Sequence, residues 1–414
     1  MTDINTHYDI IVVGNGLVGS AQVCALQHAG LRVALLEKAA VAATSNTDWR
    51  PLSLNQASVK ILQTLGVSTL VDEESVPIQN VLVTQQGRLG QIRFNAQQLS
   101  VPQLGAVVSF DRLSMALYQQ AVTQAEVLQI DAVQCIDQST DKVTLTCRQG
   151  GSDVTISADV LVAADGAGSV CRQLLSVPVT QQHSDEVSMA FCLTLSAPHQ
   201  QRAWQRFTQQ GTLAILPMRE ANQVRLVWTC SAALAQDVVG WQPEQWVQHV
   251  NSVYRGYCPA VVSARLLQQF PLRISQASRQ HVGRCLLMGN AARTFYPTTA
   301  QGFNLALRDV AALAQLLVQA KQNQRAIDAT LIAEFVAWRQ PDQTRVMQIT
   351  AAMNTVFGLQ LPGWSVLRGL GLSAVELVPF LKPRLAQRLL GYSGRVPDLA
   401  LGVPLAEQES AHAR

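Results

Sequence analysis

Three glycine-bearing turns, each entered from a run of apolar residues, constrain this chain more than any other feature. Residues 8–13 lead into Gly14-Asn15-Gly16-Leu17-Val18-Gly19. Residues 159–164 lead into Asp165-Gly166-Ala167-Gly168-Ser169. Residues 284–288 lead into Gly289-Asn290-Ala291-Ala292, with Pro297 and Gln301-Gly302-Phe303-Asn304 close behind. Short, continuous apolar runs of this kind suit parallel strands buried on both faces. A glycine turn at the end of such a strand is where an open α/β sheet receives a ligand.

The first turn can be read in full from its residues. Residues 17–29 read as a helix stopped by Gly30, and residues 31–36 form a second apolar strand ending at Glu37. In such a β-α-β unit Gly14 permits the tight turn, and Gly16 lets the backbone approach a pyrophosphate. Gly19 lets helix and strand pack closely, and the helix N-terminus favours the phosphates. Glu37 stands where an acid accepts ribose hydroxyls. The unit predicts a dinucleotide but does not choose between NAD and FAD.

Composition narrows the field. The chain has 414 residues, enough for two interleaved domains. It is 48% hydrophobic and only 14% charged, which argues against disorder. A net charge of +3 without a basic run argues against nucleic acid. None of the eight cysteines forms a C-x-x-C pair, so neither a zinc site nor a redox dithiol is expected, and no metal is assigned. They read as small buried residues of a reducing compartment. No basic leader precedes the first strand. The longest charge-free stretch, residues 346–367, contains Gln348, Asn354, Gln360, Pro362 and Gly363. That suits hydrocarbon poorly. A cytoplasmic protein is expected, with membrane contact confined to its surface.

The second and third turns carry a resemblance. Ala164-Asp165-Gly166, with Ser169 and Arg172, resembles the A-D-G-x-x-S-x-x-R signature of the aromatic-ring hydroxylase flavoproteins. Gly289-Asn290-Ala291-Ala292-Arg293 is similar to that family's G-D-A-A-H. Pro297 to Asn304 is similar to its P-x-x-G-Q-G-x-N. Arg206-Phe207-Thr208, Gly289-Asn290-Ala291-Ala292 and Leu307-Arg308-Asp309-Val310 favour the ubiquinone-biosynthesis branch, over about residues 8–392. Three departures stand out: Asn290 for Asp, Arg293 for His and Ala300 for Gly. Asn can still hydrogen-bond a flavin side chain. Ala300 costs on the order of 1 kcal/mol if its position needs positive φ.

The resemblance implies an α/β fold of the p-hydroxybenzoate-hydroxylase type. It would be a Rossmann-like FAD-binding domain with an inserted antiparallel-sheet substrate domain and C-terminal helices. The expected boundaries give the FAD-binding domain residues 1–75, 109–182 and 278–345. The substrate domain takes 76–108 and 183–277, and a helical region takes 346–414. FAD contacts are implied for Gly14, Gly16, Gly19, Glu37, Asp165, Gly166, Gly289, Asn290, Gln301, Gly302 and Asn304. Arg50, in a loop similar to the family's D-x-R, and Arg112 are further candidates. In isolation either arginine would pass for a solvated surface residue. NAD(P)H would act as a transient co-substrate, and O2 would react through a flavin C4a-hydroperoxide. No catalytic residue is assigned; His183 and Tyr296 qualify by type alone.

Between the second and third turns the pattern changes to period two. Val187, Met189, Phe191, Leu193 and Leu195 alternate with smaller residues, predicting an antiparallel sheet with one face buried. The family holds its substrate on such a sheet, and this branch implies a polyprenylated phenol. From Arg345 to Arg395 six basic residues and one acid lie among apolar stretches. That suits either an anionic membrane surface or helix packing and an oligomer interface. Other quinone-biosynthesis proteins are implied as partners. Two alternatives stay open: a hydroxylase of a soluble aromatic compound, and a low-turnover flavin-binding subunit of a quinone-synthesis complex. A plain NAD dehydrogenase leaves the second and third turns unexplained.

Overall fold

The structure is a computed structural model. It describes residues 7–38, 50–87, 90–295, 301–358, 374–376, 378 and 381–406, without the side chains of 183 and 353–358. Tyr296, Pro297, Ala300 and the His183 side chain therefore lie outside the described residues, as does much of the tail.

The first part of the chain runs β1 (His7–Val13), α1 (Leu17–Cys24), β2 (Val33–Lys38), β3 (Pro51–Asn55) and α2 (Gln56–Leu62). Next come β4 (Val76–Ile78), β5 (Asn80–Gln85), β6 (Gln91–Asn95), β7 (Gly105–Ser109) and α3 (Phe110–Ala121). Strands β8 (Glu126–Ile130), β9 (Ala132–Gln138), β10 (Val143–Gln149) and β11 (Ser152–Ala163) precede α4 (Val170–Leu174). The middle holds β12 (Val179–Leu195), β13 (Arg202–Thr208), β14 (Gly211–Pro217), β15 (Gln223–Ser231), α5 (Ala232–Val239) and α6 (Pro243–Tyr254). Then follow β16 (Val261–Ala277), β17 (His281–Val282), β18 (Cys285–Leu287) and β19 (Arg293–Thr294). Helices α7 (Gln301–Gln322), α8 (Ala329–Gly358), α9 (Leu381–Leu389) and α10 (Asp398–Leu401) complete the order.

One eight-stranded sheet has the spine β17-β18-β11-β1-β2-β8, with β10 and β9 added beside β11. Its central pairs β18–β11, β11–β1 and β1–β2 are parallel. Both faces are covered, as the continuous apolar runs require. Ile10, Val12, Leu35 and Val160 pack with residues of α1 and α7, while Ile11, Val13, Leu36 and Leu161 pack on the opposite side. Helix α1 is shorter than the reading of residues 17–29. After Cys24 the bonds tighten to i→i−3, Leu26 to Val23 and Gln27 to Cys24, and His28 turns to φ 60°. The chain thus leaves the α-helix five residues before the expected end.

The second eight-stranded sheet runs β19-β16-β12-β15-β14-β13-β5-β6, antiparallel except for β13 on β5. One face packs Met189, Phe191, Leu213, Ile215, Leu226 and Trp228 beneath α5 and α6. The expectation of a single buried face needs correcting. Ser188 and Ala190 on the other face are also buried, at 0% and 1% exposure. That face lines an internal cleft rather than meeting bulk water. Strands β3, β7 and β4 form a small third sheet.

Candidate functional site

Because β18, β11 and β1 are neighbouring parallel strands, the three glycine turns leave the sheet side by side at its carboxyl edge. Backbone bonds stitch them together: Ala164 N–H to Val13 O at 2.8 Å and Met288 N–H to Ala163 O at 2.9 Å. Packing tightens the joint. A Cβ on Gly14, whose φ is +106°, would sit 2.6 Å from Ala164 O. A Cβ on Gly19 would sit 1.8 Å from Gly14 O, so helix and turn are in backbone contact. A Cβ on Gly16 meets nothing within 4 Å, which leaves that backbone open to a ligand. Helix α1 begins there with no side-chain cap, so its first N–H groups face the same space.

Arg172 locks the second turn to the third. Its guanidinium donates to Ala291 O at 2.8 Å and Ala167 O at 2.9 Å, and it is 8% exposed. Ser169 caps the same short helix by accepting from the Arg172 N–H. Arg172→Ala removes both charge-assisted bonds and should cost about 3 kcal/mol, measured by denaturant unfolding of the purified protein.

The other expected contacts divide into two groups. Gly16, Arg50, Gly166, Gly289, Asn290, Gln301, Gly302 and Asn304 line one cleft of about 980 Å3. Arg50 stands 4.7 Å from the Phe110 ring centroid and 5.5 Å from that of Phe270. Asn290 is exposed within the cleft. Asn304 is buried and braces the wall: its Oδ1 accepts from Asn55 N–H at 2.8 Å and its Nδ2 donates to Ser53 O at 2.9 Å. The second group stands apart. Glu37 is next to last in β2, buried, and accepts from Asn15 Nδ2 at 3.0 Å and Gln129 Nε2 at 3.2 Å. Its hydrogen bond with Tyr118 holds that phenol above its ordinary range. Arg112 is exposed and makes a two-pronged ion pair with Glu74, both contacts 2.7 Å, outside the cleft lining.

Two features went unread in the sequence. The first is a buried charge network where α7 meets α8. Arg339 donates to Asp309 at 2.7 Å and to Asp342 at 2.6 Å, while Arg308 lies 3.2 Å from Asp342. Burial lowers the pKa of Arg308 and of Arg293. Burial acts the same way on Arg339, but the two carboxylates outweigh it and raise its pKa. Leu307-Arg308-Asp309 was visible only as a family string; the partner, Asp342, sits 33 residues past Asp309 in a helix of weak apolar periodicity. The second is the cleft-facing side of the second sheet. Its register sets Ile92, Val83, Gln205, Ala214, Val227 and Ala190 in one row across six strands. A neighbouring row holds Phe207, Thr212, Thr229 and Ser188.

These residues fit FAD. Asp165 accepts from the Cys171 N–H with Oδ2, while its buried Oδ1 has no partner in the chain. Asn55 Nδ2 and Arg308 Nε and Nη1 are also buried without an acceptor. A polar ligand in the cradle would meet such atoms, and the open glycine backbone at Gly16 and Gly166 leaves room for one. No cluster of metal-binding side chains occurs among the described residues.

The chain is similar in sequence and fold to known proteins. The chain is 27% identical to ubiquinone hydroxylase UbiL of Rhodospirillum rubrum, over 96% of this chain and 93% of that one. It is 28% identical to 3-demethoxyubiquinol 3-hydroxylase of Escherichia coli, over 94% of this chain and 99% of that one. Its fold matches p-nitrophenol 4-monooxygenase PnpA of Pseudomonas putida with a TM-score of 0.75 at 16% identity, covering 95% of this chain and all of that one. A family model described as FAD binding domain matches residues 7–350, and this protein belongs to that FAD-binding family.

Proposed function

We propose that this protein hydroxylates the aromatic ring of a polyprenylated phenol in ubiquinone biosynthesis, with FAD as cofactor and NAD(P)H and O2 as co-substrates. The activity is of the 2-polyprenyl-6-methoxyphenol hydroxylase type. One observation carries the reading: the cleft beside the flavin cradle continues as an apolar slot. Its far end is walled by Val81, Ile92, Phe94, Leu99 and Leu104, and by Leu385 of α9. A soluble aromatic compound needs no such slot, whereas a prenyl tail gains about 0.8 kcal/mol per buried methylene there. The two ubiquinone-pathway relatives point the same way.

FAD, when bound, supplies the electron and oxygen chemistry. The chain does the rest. Gly14, Gly16 and the α1 N-terminus hold the pyrophosphate, and Glu37 accepts the ribose hydroxyls. Asn290, Gln301, Gly302 and Arg50 hold the flavin end. Asn304 and Arg172 act one step back, fixing β3 and the second turn in place. The sheet face beneath sets the height of the substrate ring, and the apolar walls keep water from the reacting carbon.

Entry of a lipid substrate fits the surface at α9. Leu381 and Leu389 are 36% and 39% exposed beside Arg384 and Arg388, and Leu385, Ala386, Arg388 and Leu389 of the same helix line the cleft. Such a surface suits an anionic bilayer. No helix among the described residues is long and apolar enough to cross a membrane.

The test gives the purified holoprotein NADH or NADPH, air and a geranylated ortho-methoxyphenol, with and without anionic vesicles. Nucleotide oxidation that depends on the phenol, a product one oxygen atom heavier, and stimulation by the vesicles are expected. Turnover of unprenylated phenols alone would favour the soluble-aromatic reading. Flavin retention with no phenol-dependent oxidation would favour the subunit reading.

A further inference from the structure

The buried side-chain atoms of the cleft-lining residues that lack a partner are all donors. They are Asn55 Nδ2, Gln205 Nε2, and Arg308 Nε and Nη1. No unpartnered buried acceptor occurs among the described residues of that lining. Asn55 and Arg308 belong to the α2 and α7 side. Among the described residues, Gln205 is the one such donor on the opposite wall. On β13 its side chain shares a face with Ala203 and Phe207. Its nearest row neighbours, Val83 on β5 and Ala214 on β14, are apolar, as are Ile92, Val227 and Ala190 beyond them. No residue of that row offers an acceptor to its amide, which leaves the N–H available to an oxygen brought by a ligand.

The position of Gln205 says which oxygen. Toward β12, the side nearer the flavin turn at β19, the face is small and hydroxylated: Ser188, Thr229 and Thr212. Toward β6 it is bulky and apolar: Val83, Val81, Ile92 and Phe94. Gln205 marks the boundary between the end that suits a ring and the end that suits a tail. Resting on the proposed substrate class, we propose that Gln205 is a specificity-determining residue whose amide N–H donates to an oxygen substituent of the substrate ring. A ring with methyl in place of methoxy leaves that donor buried and unpaired and is rejected for that reason.

The test compares Gln205→Leu with the unaltered holoprotein on two probes. One is a geranyl-bearing ortho-methoxyphenol, and the other is the same phenol with methyl in place of methoxy. Binding is read from the change in flavin absorbance, turnover from kcat and KM, and stability from the thermal midpoint without probe. The unaltered protein should prefer the methoxy probe by about tenfold in KM, with kcat within about threefold. Gln205→Leu should lose that preference while its midpoint holds or rises, because an unpaired buried amide has been removed. A preference retained by Gln205→Leu overturns the proposal. So does a lowered midpoint with the probe ratio unchanged, which marks a purely structural amide. Binding of both probes without discrimination by the unaltered protein overturns it too. Failure of the unaltered protein to bind either probe instead removes the polyprenylphenol reading, and the proposal falls with it.

Discussion

Gly19→Ala yields a protein that purifies without flavin. A Cβ at that position would lie 1.8 Å from Gly14 O and 3.0 Å from its carbonyl carbon, so the first turn of α1 must back away from the glycine turn. Neither contact is a flexible side chain that could swing aside. Displacement of backbone on this scale belongs with the exceptional mutations, above about 4 kcal/mol, and where that cost is paid in restoring the turn on binding, FAD affinity falls about a thousandfold. The comparison variant is Gly16→Ala. Its φ is −69° and its Cβ meets nothing within 4 Å, so the polypeptide itself is unstrained. Gly16→Ala should keep the thermal midpoint of the flavin-free protein and still weaken FAD, because the methyl occupies the approach to the pyrophosphate. Flavin absorbance per polypeptide and the midpoint of the stripped protein check both outcomes. Retention of a full flavin complement by Gly19→Ala would refute the backbone-contact argument.

Arg339→Met costs 3–5 kcal/mol, about the effect of opening a core cavity. Arg339 is 1% exposed and joins two carboxylates that are 6% and 7% exposed. Its removal leaves Asp309 supported by Gln343 Nε2 at 2.9 Å, and Asp342 by Arg308 and, more weakly, by Ser393 at 3.4 Å. Asp342 then keeps its ion pair with Arg308, while Asp309 keeps the charge of Arg293 nearby without an ion pair to it, and the loss appears in denaturant unfolding at neutral pH. The double variant Arg339→Met with Asp309→Asn should recover part of it, because one of the stranded charges goes as well. If the single variant unfolds within about 1 kcal/mol of the unaltered protein, the network is solvated and does not hold α8 against α7.

The parallel sheet was legible because its strands are buried on both faces and so appear as unbroken apolar runs. Gly14, Gly19 and Gly289 were legible because close approach excludes every other side chain there. The second sheet was legible as alternation, but only half of its meaning was. Alternation separates two faces without telling a solvated face from one lining an internal cleft, and Ser188 and Ala190 proved to be buried. Gln205 was hidden for the same reason: its significance lies in its row neighbours, and register across six strands is not written in local sequence. The buried network was hidden because Asp309 and Asp342 find Arg339 only when α7 and α8 pack. The Asn304 clamp was half visible; the motif named the residue, but its partners at Ser53 and Asn55 lie about 250 residues earlier.

That clamp also governs when the protein can become active. The wall of the cradle at β3 takes its brace from α7, across separations of 249 and 251 residues, and β18 must dock on β11 before the third turn exists. A chain emerging from the ribosome therefore exposes its first glycine turn long before the rest of the site is made. Contacts this distant in sequence form slowly. The cleft is therefore completed only once residues 301–304 have been made, and a chain ending before α7 should not retain flavin.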